Sequence, residues 1–97
     1  MTGKQRSFLK KKAHHLDPIF NIGKGGISDN QVEAIDQALE KRELIKIKLL
    51  QNVSMDTNEA ADFIVEKLKA EFVQAIGSVF TIYRESKEDP KIELPKK

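Results

Sequence analysis

The chain has 97 residues, enough for one modest hydrophobic core and too few for two. It contains no cysteine, which excludes a disulfide scaffold and thiol chemistry, and it has no apolar run near membrane-spanning length. The basic N-terminus lacks the apolar core of a signal peptide, so a soluble, cytoplasmic protein is expected. The net charge of +2 conceals a lopsided distribution. Between Met1 and Lys24 six basic residues stand against Asp17 alone, while the remainder carries 11 basic and 14 acidic residues. Such a bipolar molecule presents a positive face to a polyanion and keeps its acidic face away.

The first predicted element is a helix from Gly3 to Leu16, opened by the capping pattern of Thr2 and Gln5. Leu9, Ala13 and Leu16 fall at helical spacing and define the core stripe, with Phe8 beside it. Lys4, Lys11 and His15 lie near one exposed line; Arg6, Lys10 and His14 lie near another, with Lys12 next to them. A narrow apolar stripe without tryptophan argues against a membrane surface and leaves nucleic acid as the polyanion. His14 and His15 project about 100° apart on a helix, so they do not share a metal, and no cysteine or second histidine pair completes a site.

Ile19 to Ile22 reads as a short strand that runs into Gly23-Lys24-Gly25-Gly26. Ser28 and Gln31 then form a second capping box, with Gln31 expected to reach back to Ser28. A strand therefore ends in a bare backbone loop from which a helix starts. The N–H groups near Ile27 and Ser28, together with the charge of Lys24, suit a phosphate. The order of the glycines matches neither the dinucleotide fingerprint nor the nucleotide P-loop, so the phosphate belongs to a larger polymer.

The second helix runs from Ser28 to about Arg42, with Val32, Ile35, Ala38 and Leu39 inward and Glu33, Asp36, Glu40 and Glu43 on the wet side. Glu43 to Leu50 is a strand, its Ile45, Ile47 and Leu49 facing one way and Leu44, Lys46, Lys48 and Leu50 the other. A third helix starts at Asp56 or Thr57, buries Ala61, Ile64, Val65 and Leu68, and is acidic outside through Glu59, Asp62 and Glu66. Phe72–Ile76 and Val79–Tyr83 form a hairpin about Gly77-Ser78, and Arg84 stands at its end. Tyr83 is expected in the core. Residues 85–97, charged and broken by proline, are expected to be a mobile tail.

The order α-β-α-β-α-β-β gives an α/β, two-layer sandwich on a four-stranded mixed sheet with one sheet face or edge left available. Four stretches also resemble the CRM domain, the chloroplast RNA splicing and ribosome maturation module. They are Leu9 with Ala13-His14-His15-Leu16, Ile22 to Ile27, Glu43 to Lys48, and Ile76-Gly77 with Tyr83-Arg84. As a stand-alone domain over about Thr2 to Arg84, the chain is similar to the bacterial YhbY-type proteins. That resemblance implies an RNA-binding fold like the C-terminal domain of translation initiation factor three, and association with precursors of the large ribosomal subunit.

The resemblance places the RNA contacts on Gly23, Lys24, Gly25 and Gly26, on Lys4, Arg6, Lys10, Lys11 and Lys12 of the first helix, and on Lys46 and Lys48; Arg84 joins them as a candidate backbone contact. The GxxG spacing is shared with KH domains, where the loop joins two helices rather than following a strand. The expected molecule is a monomeric RNA-binding assembly factor that contacts rRNA, with no cofactor, no metal and no catalytic residues, since no nucleophile–base pair or coupled carboxylates are present. The alternative is a module that docks on ribosomal proteins or assembly factors through the acidic third helix.

Overall fold

The computed structural model describes residues 1–96. It contains α1 (Gly3–Ala13), β1 (Phe20–Ile22), α2 (Asp29–Arg42), β2 (Leu44–Leu49), α3 (Thr57–Leu68), β3 (Glu71–Ile76) and β4 (Val79–Tyr83), the succession read from the sequence. The strands form one mixed sheet in the order β1-β2-β4-β3. The β1–β2 pair is parallel, which requires a crossover, and α2 supplies it; the other pairs are antiparallel.

The alternation along β2 decides which helix covers which face. Ile45, Ile47 and Leu49 join Ile22, Phe80 and Ile82 under Ile35 and Leu39 of α2 and Ala60, Ala61 and Ile64 of α3. Each fully buried Ile or Leu contributes about 1.5–3 kcal/mol, so this layer dominates stability. On the reverse face Leu44, Val73 and Tyr83 pack against Leu9 and Ala13 of α1, with Tyr83 in the core as expected. A register shift between Phe72 and Gln74 turns both Val73 and Gln74 toward that side. α1 thus covers only one end of the reverse face and leaves the other end open.

Four local expectations are corrected. Helix α1 stops at Ala13 rather than Leu16. Its end tightens into short-range bonds, His14 N–H to the Lys11 carbonyl and Leu16 N–H to the Ala13 carbonyl. Leu16 is accordingly exposed instead of lying in the core. At the start of α2 the Ser28 hydroxyl accepts from Gln31 N–H at 3.1 Å, but the Gln31 amide donates to the Asn21 carbonyl at 2.8 Å, not back to Ser28. Finally, Glu43 is fully buried rather than wet.

The burial of Glu43 has a specific cause. Its carboxylate accepts from the backbone N–H groups of Ser86, Lys91 and Ile92 at 2.8–2.9 Å. One turn earlier, Glu40 accepts from Ser86 Oγ and from the N–H groups of Lys87 and Glu88. Residues 85–96 have no helix or strand, yet Ile92 and Leu94 pack on the α1 core and the Pro95 carbonyl accepts from the Gln5 amide. The stretch expected as a mobile tail is a strap between α1 and α2; Lys97 lies outside the described residues. The hydrogen bonds from Lys87, Ser86 and Glu88 lower the Glu40 carboxyl from its ordinary 4.5 to about 2. At Glu43 burial pushes the carboxyl up, but the three N–H donors and Lys91 outweigh it and hold it below the usual value.

Candidate nucleic-acid interface

The glycine loop is fixed at both ends and open in the middle. Leu50 N–H donates to the Ile22 carbonyl and the Gln31 amide to the Asn21 carbonyl, so the strand end and the helix start are tied together. Between them Gly26 N–H donates to the Gly23 carbonyl at 2.9 Å, closing a tight turn with Lys24 and Gly25 at its tip, both exposed. Gly26 has φ +76°, a conformation that side chains resist. Gly25 is different. It has no positive φ, and a Cβ there would meet nothing within 4 Å. The fold itself makes no demand for glycine at this tip. Directly after the turn, Ser28 caps α2 and the N–H groups of the first helical turn point to the same end of the molecule, with Asp29 beside them as the one acid of that turn.

The open half of the reverse sheet face continues from this loop. Cross-strand partners share a face, so the register defines rows across the sheet. Asn21, Lys48, Val79 and Ile76 form the row nearest the loop, and Lys46, Thr81 and Gln74 form the next. The third row, Leu44, Tyr83 and Glu71, is where α1 lies. The C-terminal half of α1 borders the open rows: Lys10, Lys11, His14 and His15 line one cavity with Gln74 and Ile76. Lys24, Lys48, Lys10 and Lys11 are exposed, and none forms an ion pair among the described residues.

The other expected site residues divide. Lys4 and Lys12 are exposed on α1, with the Lys12 ammonium 5.9 Å above the Phe8 ring. Lys46 is half-buried on the floor of the open face. Arg6 is partly committed to the fold, since its Nε donates to the Phe72 carbonyl at 3.1 Å. Arg84 is committed fully. Its guanidinium pairs with the Asp36 carboxylate at 2.7 Å and donates to the Leu68 and Asp36 carbonyls, which staples α2 to the end of α3. Its side chain is 15% exposed, and Nε is the one buried side-chain polar atom without a partner among the described residues. Arg84 therefore leaves the set of outward cations as a correction to the sequence reading. Gln74, Ile76 and His14 also line the open face, a placement the sequence reading did not single out. Strand alternation past Gly77 could have flagged Ile76, whereas the register shift at Val73 hid Gln74.

Among the described residues no group of three or more His, Asp or Glu side chains is placed to hold a metal ion. His14 and His15 meet edge to face, with ring centroids 5.4 Å apart. No helix is long and apolar enough to cross a membrane. What the geometry defines is a small α/β domain with a cationic, glycine-tipped face of the kind that meets a polyanion.

The chain belongs to the CRS1/YhbY (CRM) domain family, whose model matches residues 1–84. Among its relatives, the Bacillus subtilis (strain 168) protein named "Probable RNA-binding protein YqeI" is 52% identical over 95 residues, covering 98% of this chain and 99% of that one. A Haemophilus influenzae protein named "RNA-binding protein" is 39% identical, covering 100% and 97% of the two chains. The solution structure of a hypothetical protein from Staphylococcus aureus superposes with a TM-score of 0.81 at 54% identity, over 98% of this chain and 99% of that one. The fold and the family read from the sequence agree with these likenesses.

Proposed function

We propose that this protein binds RNA through the Gly23–Gly26 loop and the cationic face beside it, and that it assists assembly of the large ribosomal subunit by contacting rRNA. The observation that carries the reading is Gly25: a glycine the fold does not need, at the exposed tip of a pinned turn, next to Lys24 and the start of α2. A phosphate approaching that tip meets backbone N–H groups and an ammonium with no Cβ in the way. Lys48 on the sheet and Lys4, Lys10, Lys11 and Lys12 on α1 extend the footprint, so affinity falls as salt rises. The RNA-binding names of the relatives support the polymer class, and the ribosomal setting is what the resemblance to the CRM module implies. In this reading the protein acts as a cytoplasmic monomer and performs no catalysis.

A second reading has one observation of its own. Phe63 stands 46% exposed on α3 beside Asp62, with Glu59 and Glu66 also exposed on that helix, a surface suited to a basic protein segment rather than to RNA. Sedimentation of lysate through a density gradient tests the first reading. Co-migration with large-subunit precursors, lost in a Lys24→Glu/Gly25→Asp variant, is the expected result. Co-migration that survives this variant but fails when Glu59, Asp62 and Glu66 are reversed to lysine transfers the contact to α3.

A further inference from the structure

The open half of the sheet does more than carry charge. Two adjoining cavities, of about 410 and 450 Å3, lie between the C-terminal end of α1 and strands β3 and β4 and share His14, Gln74 and Ile76. Ile76 is 68% exposed, the most exposed large apolar side chain among the described residues, yet it stands among cations rather than alone on the surface. Lys10 and Lys11 border it on one side and Lys46 on the other, and Asp17 is the one carboxylate at the rim. An apolar patch ringed by cations is poorly matched to a phosphate chain, which needs the charge but not the patch. It is equally poorly matched to a basic protein segment, which needs the patch but not the charge. A nucleotide displaced from its helix needs both, because its base has apolar faces and polar edges while the phosphates on either side are anionic.

We propose that this recess receives one unpaired nucleotide of the bound RNA. The base lies between the His14 imidazole and the Ile76 side chain, over Val79. The Gln74 amide faces its edge, and Lys10, Lys11 and Lys46 take the flanking phosphates. The proposal rests on the RNA-binding reading and sharpens it: the preferred RNA is a bulge or loop next to a helix, not a continuous duplex. The register connects the recess to the glycine loop, since Ile76 and Val79 continue the row that begins at Asn21 and Lys48. Phosphate contact at the loop and base capture at the recess thus occupy one face.

The test compares an RNA hairpin carrying a single unpaired nucleotide with the same hairpin fully paired, by fluorescence anisotropy at fixed salt. The wild type is expected to bind the bulged hairpin about tenfold more tightly, the size of one stacked base. His14→Ala/Ile76→Ser is expected to abolish this preference. Both positions are exposed, and His14→Ala alone, outside the core and outside any strand, is the second variant and is expected to reduce the preference. Equal wild-type affinity for the two hairpins, or a preference that survives the double variant, overturns the proposal. Lys24→Glu/Gly25→Asp separates the two layers. Loss of both affinities in this variant with no bulge preference in the wild type rejects the recess and keeps the loop. A preserved preference with unchanged affinities rejects the loop instead, and failure of the wild type to bind either hairpin rejects both.

Discussion

Two irregular segments of this molecule look alike on paper and behave oppositely in the fold. Gly23–Gly26 and Ser86–Leu94 are both polar stretches without helix or strand, rich in residues that punctuate structure. The second is consumed by the protein: its N–H groups are spent on Glu40 and Glu43, and its apolar side chains close the small core under α1. The first is held only at its ends, and its tip gives nothing to the fold. The same contrast separates the cations. Arg84 is locked between α2 and α3, while Lys24 and Lys48 are exposed. Charge used internally is structural; charge left outside, beside an unneeded glycine, is available for a ligand.

The sharpest way to break the contrast is on the strap side. Glu43→Ala strips the acceptor from three backbone donors around a fully buried position, and a loss of about 3 kcal/mol in denaturant unfolding is expected. Arg84→Ala removes the staple between α2 and α3 and is expected to cost about 2 kcal/mol by the same measurement. RNA affinity per folded molecule should stay unchanged in Arg84→Ala, since this guanidinium faces inward; a specific loss of affinity there would return Arg84 to the interface.

Acid acts on the same strap. Because the folded carboxyl of Glu40 sits at about 2, below its ordinary 4.5, its contribution is complete above 4.5 and is lost as pH falls toward 2. Glu43 is lowered as well, so the two act in the same direction. Protection factors for amide exchange, corrected for the intrinsic pH dependence, are therefore expected to fall at Ser86, Lys87, Lys91 and Ile92 in that acid window before those of the sheet amides. Simultaneous loss of strap and sheet would show that the strap has no separate unfolding step. The smallest stability effect belongs to the loop. Gly25→Ala is expected to alter stability by less than about 1 kcal/mol, because neither φ nor space forbids the methyl group. Its RNA affinity is nevertheless expected to fall. A large stability change with unaltered affinity would reverse the assignment.

The order of elements was legible because their signals are local: Thr2 with Gln5 and Asp56 with Glu59 form their capping boxes, and the alternation of Ile45, Ile47 and Leu49 assigns the core face. The glycine loop was legible for the same reason. Three features were hidden because they depend on partners distant in the chain. Glu43 reads as one more surface acid until residues 86–92 fold onto it. Arg84 reads as an edge cation until Asp36, 48 positions earlier, is beside it. Gln74 and Ile76 read as ordinary strand residues until α1 stops short and leaves their two rows open.

The most direct test of the central claim is RNA affinity measured as a function of salt for the wild type and the Lys24→Glu/Gly25→Asp variant, with thermal unfolding recorded on both. The account predicts an affinity in the wild type that falls steeply with salt, loss of that affinity in the variant, and unfolding curves that nearly coincide. Equal RNA affinity in the two proteins, with both folded, would contradict it.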